Sequence, residues 1–187
     1  YVRVMDNHSA RRLRLRILSL VLLTMVVGAP AASAAESVAS GPVERVVMIP
    51  AGDHRIPATL TRPRGVGRDV PAVVLVHGFA SSRDEVGNMY ARLAADLAAE
   101  GYASLRIDFA GSGDSRQPFV DNTFDGMVAD TRVALNWLDR RAFVDDDRIG
   151  IVGFSLGTRI AEVVAGTDDR IAAFASWSGA ADNGRVA

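Results

Sequence analysis

The sequence predicts one α/β domain with a mostly parallel β-sheet, and three features of its 187 residues support that fold class. Short apolar runs without polar alternation occur at residues 72–76, 102–107, 149–152 and 171–175. Such runs are typical of parallel strands that helices cover on both faces. Longer stretches with helical periodicity separate the runs, as connections between parallel strands require. Ahead of them, residues 43–49 and 56–61 flank the turn Gly52-Asp53 and indicate an antiparallel hairpin.

Three helices are predicted between these strands. The first should begin with a capping box, because Ser82 is followed three residues later by Glu85, and Gly101 should end it. Its apolar stripe consists of Val86, Met89, Tyr90, Leu93 and Leu97. The second helix starts near Asn122, and one of its faces carries Val128, Thr131, Leu135 and Leu138. The third helix follows Ser155 and runs through Ile160 and Val164 to Gly166.

Composition excludes several catalytic strategies. All 21 basic residues are arginine, so the chain offers no Schiff-base lysine, no Ser-Lys dyad and no P-loop lysine. Cysteine is absent as well, which excludes disulfides, a thiolate nucleophile and Cys-ligated zinc. With 49% hydrophobic and 23% charged residues, the composition is that of a folded domain and not of a disordered or multi-span membrane protein.

The N-terminal region has the organisation of a secretory signal peptide. Arginines at positions 11, 12, 14 and 16 precede an apolar run at residues 17–27, and the small-x-small sequence Ala32-Ser33-Ala34 follows. The run has 11 residues, whereas roughly 20 are needed to span a bilayer. We therefore predict a signal peptide at 1–34, a linker at 35–42 and a partial domain at 43–187, with a retained N-terminal anchor as the alternative.

This organisation predicts a secreted or periplasmic protein and limits its partners. Removal of residues 1–34 would leave 16 arginines and 21 acidic residues, a net charge of −5. A mildly acidic protein lacks the electrostatic footprint of nucleic-acid binding. We expect no nucleic-acid partner, and contact with a membrane only through the signal segment if it stays uncleaved.

The stretch Gly153-Phe154-Ser155-Leu156-Gly157 carries the clearest chemical signal. It follows an apolar strand and precedes the third helix, which is the context of a nucleophile elbow. In such a turn the serine hydroxyl is exposed above the sheet on a strained backbone, and side chains in place of the glycines would meet the neighbouring strand and helix. Ser155 is therefore the predicted catalytic nucleophile, with Gly153 and Gly157 as the elbow glycines.

A second strand end, His77-Gly78-Phe79, supplies the expected partner of this serine. The backbone after Gly78 can direct an N–H into the space above Ser155, and Leu156 offers its N–H at a helix N-terminus, where the dipole favours negative charge. We predict that the amides of Phe79 and Leu156 form an oxyanion hole. His77 precedes the serine at a strand end, so we expect it to support this loop and not to act as the base.

With these residues the chain resembles the α/β-hydrolase superfamily, in particular the branch of feruloyl and cinnamoyl esterases and serine-aminopeptidase-like hydrolases. The resemblance rests on HGFASS at 77–82, RIDFAGSGDS at 106–115 and GFSLG at 153–157, and covers roughly residues 43–180. It implies an α/β-hydrolase fold, ester chemistry without a cofactor, and a structural role for the loop 108–115. Thr158 departs from the pattern, since many relatives have a second glycine there.

The catalytic acid and histidine are not in their expected places. On this fold they follow the nucleophile in the order Ser, then Asp or Glu, then His, yet His8, His54 and His77 all precede Ser155. Asp182 is a candidate for the acid, although most relatives place it one strand later. We therefore expect a C-terminally truncated copy that lacks the last two strands and has little activity of its own.

Two hypotheses for the function remain open. The first is a serine esterase that acts on a small-molecule ester through an acyl-enzyme intermediate, of which this chain is a part, with peptidase or thioesterase activity as the alternative among enzymes. The second is a non-catalytic remnant or binding module on the same scaffold. The acidic runs at 145–147 and 168–169 are typical of solvated turns before parallel strands, so we expect no metal and no organic cofactor.

Overall fold

A computed structural model of the chain describes residues 41–179. The strands of this part are β1 (Val43–Ala51), β2 (His54–Arg62), β3 (Val70–Val76), β4 (Ala103–Ile107), β5 (Val144–Phe154) and β6 (Ile171–Trp177). Its α-helices are α1 (Met89–Ala99), α2 (Phe124–Asp139) and α3 (Leu156–Ala165). The predicted signal peptide at 1–34, most of the predicted linker at 35–42 and the acid candidate Asp182 lie outside the described residues.

The strands form one sheet in the order β1-β2-β4-β3-β5-β6. β1 and β2 are the antiparallel hairpin predicted around Gly52-Asp53, with Ala51 opposite His54. β2 also runs antiparallel to β4, whereas β4, β3, β5 and β6 are parallel to one another. The predicted fold class, a mostly parallel sheet with an N-terminal antiparallel hairpin, is thereby confirmed.

Helices cover both faces of the sheet, which explains why its central strands are apolar throughout. Every residue of β4 is buried, and successive residues of a strand point to opposite faces. α1 packs against β2 and β4, α2 against β1, β3, β4 and β5, and α3 against β3, β5 and β6. The predicted apolar face of α2 is buried, with Leu135 and Leu138 at most 1% exposed. None of the helices within residues 41–179 is both long and apolar enough to span a bilayer.

The predicted start of the first helix is wrong. α1 begins at Met89, after a 3-10 turn at Val86–Asn88. Gly87 in that turn has a φ of 61°, a left-handed backbone that interrupts the helical path. Glu85 therefore forms no capping box with Ser82, and its carboxylate instead accepts a hydrogen bond from the loop after β3.

β5 is longer than the predicted strand at 149–152. It begins at Val144, which pairs with Val70 of β3, and an irregularity in the pairing follows. The three acidic residues 145–147 hide this extension in the sequence, because they separate Val144 from the apolar run.

His54 connects the hairpin to α2. Its Nε2 lies 2.9 Å from Oδ1 of Asp130 in α2, and its Nδ1 lies 3.1 Å from Oδ1 of Asp53 in the turn. Burial disfavours the charged imidazolium, but the two carboxylates outweigh this effect and raise the pKa of His54 above its ordinary value. Burial also raises the pKa of the Asp130 carboxyl, against the effect of the hydrogen bond with His54. The protonated imidazole therefore binds the hairpin to α2 more strongly than the neutral one.

We predict that this connection weakens as the pH rises. Because the folded-state pKa of His54 is raised, its charged form contributes stability fully below the unfolded pKa of about 6.5, and the contribution is lost as the pH rises through the folded pKa. Urea denaturation of the full-length gene product should give a free energy of unfolding on the order of 1 kcal/mol higher than that of a His54→Gln variant near pH 5.5. The difference between the two proteins should be smaller near pH 8.5. A stability difference that stays constant or grows with pH would contradict this role. Asp130→Asn should reduce the pH dependence, and Asp53 should account for the rest.

Candidate active site

Ser155 lies at the tip of the turn that joins β5 to α3. Its φ of 52° and ψ of −118° are rare for residues with a side chain, and such backbone strain is found mainly at functional sites. The amide of Ser155 donates to the carbonyl of Trp177 at the end of β6, at 3.0 Å. The turn is therefore held against the edge of the sheet, while the Ser155 residue itself is exposed.

The two glycines that flank the serine allow close backbone contacts. A Cβ atom on Gly157 would lie 2.2 Å from the carbonyl oxygen of Val76 and 2.5 Å from that of His77. A Cβ atom on Gly153 would lie 2.3 Å from the carbonyl oxygen of Gly157. All three distances are below 3.0 Å, which Cβ atoms essentially never show. Only glycine fits at both positions while the turn packs against the end of β3.

Thr158, the residue that departs from the pattern expected from the resemblance, fits this turn. Its side chain is buried, and Oγ1 donates a hydrogen bond to the carbonyl of Gly153 at 2.8 Å. This bond links the first turn of α3 to the last residues of β5. The threonine therefore holds the two ends of the turn together and does not displace Ser155.

The loop after β3 approaches the serine closely. A Cβ atom on Gly78 would lie 3.3 Å from Cβ of Ser155, so the backbone of this loop is in contact with the serine. Phe79 follows, with 66% of its surface exposed and its ring in edge contact with Phe119. Within residues 41–179, the amides of Phe79 and Leu156 donate to no protein acceptor. Both N–H groups are available to a ligand beside Ser155.

His77 supports this loop, as expected from the sequence. It is 1% exposed, and its Nε2 accepts the amide hydrogen of Phe109 at 3.3 Å. The proton of the neutral ring is therefore on Nδ1, which donates to the carbonyl of Gly78 at 2.7 Å. Burial lowers the pKa of His77. Because both ring nitrogens are occupied, His77 cannot take the proton of Ser155.

Glu85 is a site residue that the sequence reasoning missed. It is 6% exposed; its Oε2 accepts the amide hydrogen of Gly78 and its Oε1 accepts the hydroxyl hydrogen of Ser81, both at 2.7 Å. Hydrogen bonds to a carboxylate are about twice as strong as neutral ones. Glu85 itself has a φ of 58°, so these contacts hold a strained residue in place. The poor helix former Gly87, two residues on, was the one local signal against a capping role.

The loop 108–115 is organised around the buried carboxylate of Asp108. This carboxylate accepts the amide hydrogens of Arg83 and Asp114, at 2.7 and 3.0 Å, and pairs with the Arg83 guanidinium. Gly113 has a φ of 53°, and a Cβ atom there would lie 2.3 Å from the same carboxylate. Protein groups therefore surround the acid, and these contacts hold the loop together.

The described residues bring the predicted nucleophile and oxyanion loop together but place no histidine beside them. His77 is occupied as above, and His54 lies at the β1–β2 hairpin, bound to Asp130. Asp168, in the loop after α3, pairs with Arg170, whose hydrogen bond lowers the pKa of the Asp168 carboxyl. Within residues 41–179, therefore, no histidine is placed to act as the base of Ser155.

The acidic run at 145–147 lies at the beginning of β5, at the opposite end of the strand from Ser155. Oxygen atoms of its three carboxylates lie within 4.8 Å of one another. Asp145 pairs with the guanidinium of Arg148 and accepts the amide hydrogen of Asp147. The acidic run is therefore part of β5, and the prediction that it forms a turn before the strand is wrong.

A serine at a strained strand-to-helix turn of a parallel sheet, with a glycine loop from the neighbouring strand against it, is the arrangement of the α/β hydrolases. Residues 71–185 match the family described as alpha/beta hydrolase fold. The chain belongs to this family.

Several known proteins are similar in sequence or structure. "Putative hydrolase YtaP" of Bacillus subtilis (strain 168) is 30% identical over 149 residues, which cover 69% of this chain and 50% of YtaP. The structure of Est1E from Butyrivibrio proteoclasticus with ferulic acid bound has a TM-score of 0.62 at 25% identity, over 67% of this chain and 49% of Est1E. Esterase Pf2001 of Pyrococcus furiosus has a TM-score of 0.59 at 24% identity, over 70% of this chain and 49% of its own. The chain spans about half the length of these proteins.

We predict that Gly157→Ala destabilises the domain strongly. The new methyl group would overlap the backbone carbonyls of Val76, in β3, and His77, directly after it. Backbone at the end of a central strand cannot move aside easily, and such overpacking costs about 3 kcal/mol in the free energy of unfolding. Gly67→Ala is the matched control, because a Cβ atom there would meet nothing within 4 Å. Denaturant titration of both variants in the full-length gene product measures the difference. Equal stability of the two variants would show that the turn does not pack this closely.

Proposed function

We propose that the protein is a serine hydrolase that acts on carboxylic esters through an acyl-enzyme intermediate. The observation that carries the proposal is the backbone of Ser155, which exposes a hydroxyl next to two available amides, those of Phe79 and Leu156. Family membership supports hydrolysis as the reaction class. The likeness to Est1E, whose structure holds ferulic acid, supports an ester of a carboxylic acid as the substrate class.

In the proposed mechanism, Oγ of Ser155 attacks the carbonyl carbon of the ester while its proton passes to a histidine. The carbonyl oxygen becomes an oxyanion, which the amides of Phe79 and Leu156 stabilise by donating hydrogen bonds. The tetrahedral intermediate collapses, the alcohol leaves with the proton from the histidine, and an acyl-serine remains. Water then attacks the acyl-serine and releases the acid by the same steps.

The helix that begins at Leu156 contributes to the stabilisation of the oxyanion. Its first N–H groups lack intrahelical acceptors and carry the positive end of the helix dipole. The oxyanion would form beside Ser155, directly at this helix end. No metal or organic cofactor is required, because the charge is stabilised by backbone donors alone.

We further propose that the catalytic acid and histidine are supplied by residues that follow this chain in the gene product. No histidine follows Ser155 in the sequence, and the base of a serine hydrolase accounts for most of its rate, on the order of a factor of 10⁶ in kcat. The 187-residue chain by itself should therefore hydrolyse esters slowly or not at all.

We predict that Ser155→Ala abolishes both ester hydrolysis and covalent labelling. The full-length gene product should hydrolyse p-nitrophenyl butyrate and react with a fluorophosphonate probe at Ser155. The variant should lose about 10⁶ in kcat and all labelling, because the attacking oxygen is gone. Peptide mapping of the labelled protein identifies the modified residue.

Three outcomes of this experiment count against the proposal. Labelling of a residue other than Ser155 would place the nucleophile elsewhere. A full-length product that neither hydrolyses esters nor reacts with the probe would favour the non-catalytic scaffold. Rapid labelling of the isolated 187-residue chain would show that a base outside the chain is not needed.

We predict that Glu85→Ala lowers kcat about 100-fold with little change in KM. Without the carboxylate the amide of Gly78 loses its acceptor, and the next amide, that of Phe79, is no longer held where the oxyanion forms; loss of one such donor typically costs 10²–10³. Glu85→Gln keeps an acceptor for Gly78 and should retain most of the activity. Glu100→Ala, at an exposed position after α1, is the control for removal of an acidic side chain.

The rescue by glutamine distinguishes positioning from general stabilisation. If Glu85→Ala acts only by destabilising the fold, lowering the temperature should restore kcat. Equal kcat values for Glu85→Ala and the wild type would show that Glu85 does not position the oxyanion loop.

A further inference from the structure

A surface groove of about 650 Å³ lies beside β1, the edge strand farthest from the strands next to Ser155. Four strand spacings separate β1 from β5, which is about 19 Å at the usual spacing. The groove opens between the hairpin and the end of α2, and its volume is in the range of small-molecule sites. Its polar and aromatic lining consists of Arg45, Arg55, Arg62, Trp137, Arg141 and Phe143.

The pairing of the hairpin places two of these arginines, Arg45 and Arg62, on one face, whereas Arg55 pairs with Pro50 and lies on the other. Arg62 pairs with Val43, and Arg45 pairs with Leu60. Paired residues of an antiparallel ladder share one face, so Arg45 and Arg62 project from the same face of the hairpin. His54 lies on that face as well and contacts α2, which shows that the face is directed towards the helix.

The four arginines of the groove have no acidic partners in the described part of the chain. Aspartate and glutamate are absent from the lining, and no carboxylate within residues 41–179 lies within 4.0 Å of these guanidinium groups. Arg83, Arg106 and Arg170 each pair with a carboxylate, whereas Arg68 and Arg140, outside the groove, have none within 4.0 Å in this part of the chain either. The groove therefore concentrates positive charge that no acidic residue within 41–179 neutralises.

Two of these guanidinium groups are held by aromatic rings. The Cζ atom of Arg141 lies 4.2 Å from the centre of the Trp137 ring, and its Nε donates to the Trp137 carbonyl at 3.0 Å. The Cζ atom of Arg62 lies 5.7 Å from the centre of the Phe143 ring. Stacking restricts the guanidinium plane and leaves its outer N–H groups available for a bidentate acceptor. Preorganised donors lose less entropy on binding than mobile ones.

We propose that this groove binds a small amphipathic organic anion, that is, a carboxylate or phosphate attached to an apolar body. The acid group would lie among Arg45, Arg62 and Arg141. The apolar body would contact Val43 and Val47, which are half-buried on the hairpin. Charge complementarity selects an anion, the apolar walls select one with a hydrocarbon part, and the concave shape favours a small molecule over a flat lipid surface.

Calorimetric titration of the full-length gene product with four probes tests this proposal: decanoate, decyl phosphate, decan-1-ol and acetate. Decanoate, decyl phosphate or both should bind, and decan-1-ol and acetate should bind at least about tenfold more weakly, since each lacks one of the two required parts. Comparison of the two decyl anions distinguishes a carboxylate site from a phosphate site. The Ser155→Ala background prevents acylation chemistry from contributing heat.

Arginine variants decide where the anion binds, because a carboxylate could also occupy the candidate active site as a reaction product. Arg62→Gln with Arg141→Gln should raise the Kd at least tenfold, since each substitution removes a charge-assisted hydrogen bond to the anion. The matched control is Arg68→Gln with Arg140→Gln, which removes the same charge at two exposed positions outside the groove and should leave the Kd unchanged. Arg45→Gln tests the same site if the first double variant does not fold.

Each remaining outcome overturns the proposal. Equal affinity for decanoate and decan-1-ol would show that charge plays no part. Unchanged affinity in the groove variants would place the anion elsewhere. Arginine-dependent sedimentation with phosphatidylglycerol vesicles, without binding of either soluble anion, would assign this face to a membrane surface.

Discussion

The contact between the β5–α3 turn and the end of β3 is the constraint on which the candidate site depends. β3 and β5 are parallel neighbours, with Val76 opposite Gly153, so the loops that follow them leave the sheet side by side at its carboxyl edge, where ligands of open α/β sheets bind. Glycine at 157 lets the helix backbone come against the carbonyls of Val76 and His77. With any larger residue there, α3 would move away from β3, and Ser155 would lose its contact with Gly78.

Two hydrogen bonds to Gly78 give the loop after β3 a defined direction. Both polar groups of Gly78 are bound by buried side chains, its N–H by Glu85 and its carbonyl by His77. Because two successive peptide planes are thereby fixed, the next N–H, that of Phe79, points in a direction that the protein has set before any substrate arrives. Preorganised donors aimed at a developing charge are usually the largest single contribution to catalysis by enzymes of this kind. In the proposed mechanism, His77 and Glu85 would therefore act through Gly78, without contact with the reacting atoms.

The parts of this structure that depend on local patterns could be predicted from the sequence, and those that depend on distant polar contacts could not. The strands, the buried face of α2 and the turn at Ser155 follow from apolar periodicity and from glycine spacing over a few residues. The contact of His54 with Asp130 joins residues 76 positions apart, and no local pattern indicates it. Glu85 was misinterpreted because a capping box and a buried loop acceptor have the same sequence signature, and only the left-handed backbone at Gly87 separates them.

The arginines of this domain occur in two different environments, in buried ion pairs and beside the edge strand β1. Arg106, with 3% of its side chain exposed, pairs with Glu44 and lies 3.0 Å from Asp84, and buried ion pairs of this kind need a partner because an unpaired buried charge is costly. The arginines beside β1 remain partly in water and can do without one. Charged residues on the edge strand β1 would also be explained by protection against pairing with a strand of another molecule. That protection requires charged residues on the strand but no fixed orientation of their side chains. It does not account for stacking of Arg141 on Trp137 and of Arg62 near Phe143, which orders two guanidinium groups at the entropic cost of fixing long side chains. Order of this kind is what recognition of an anion requires.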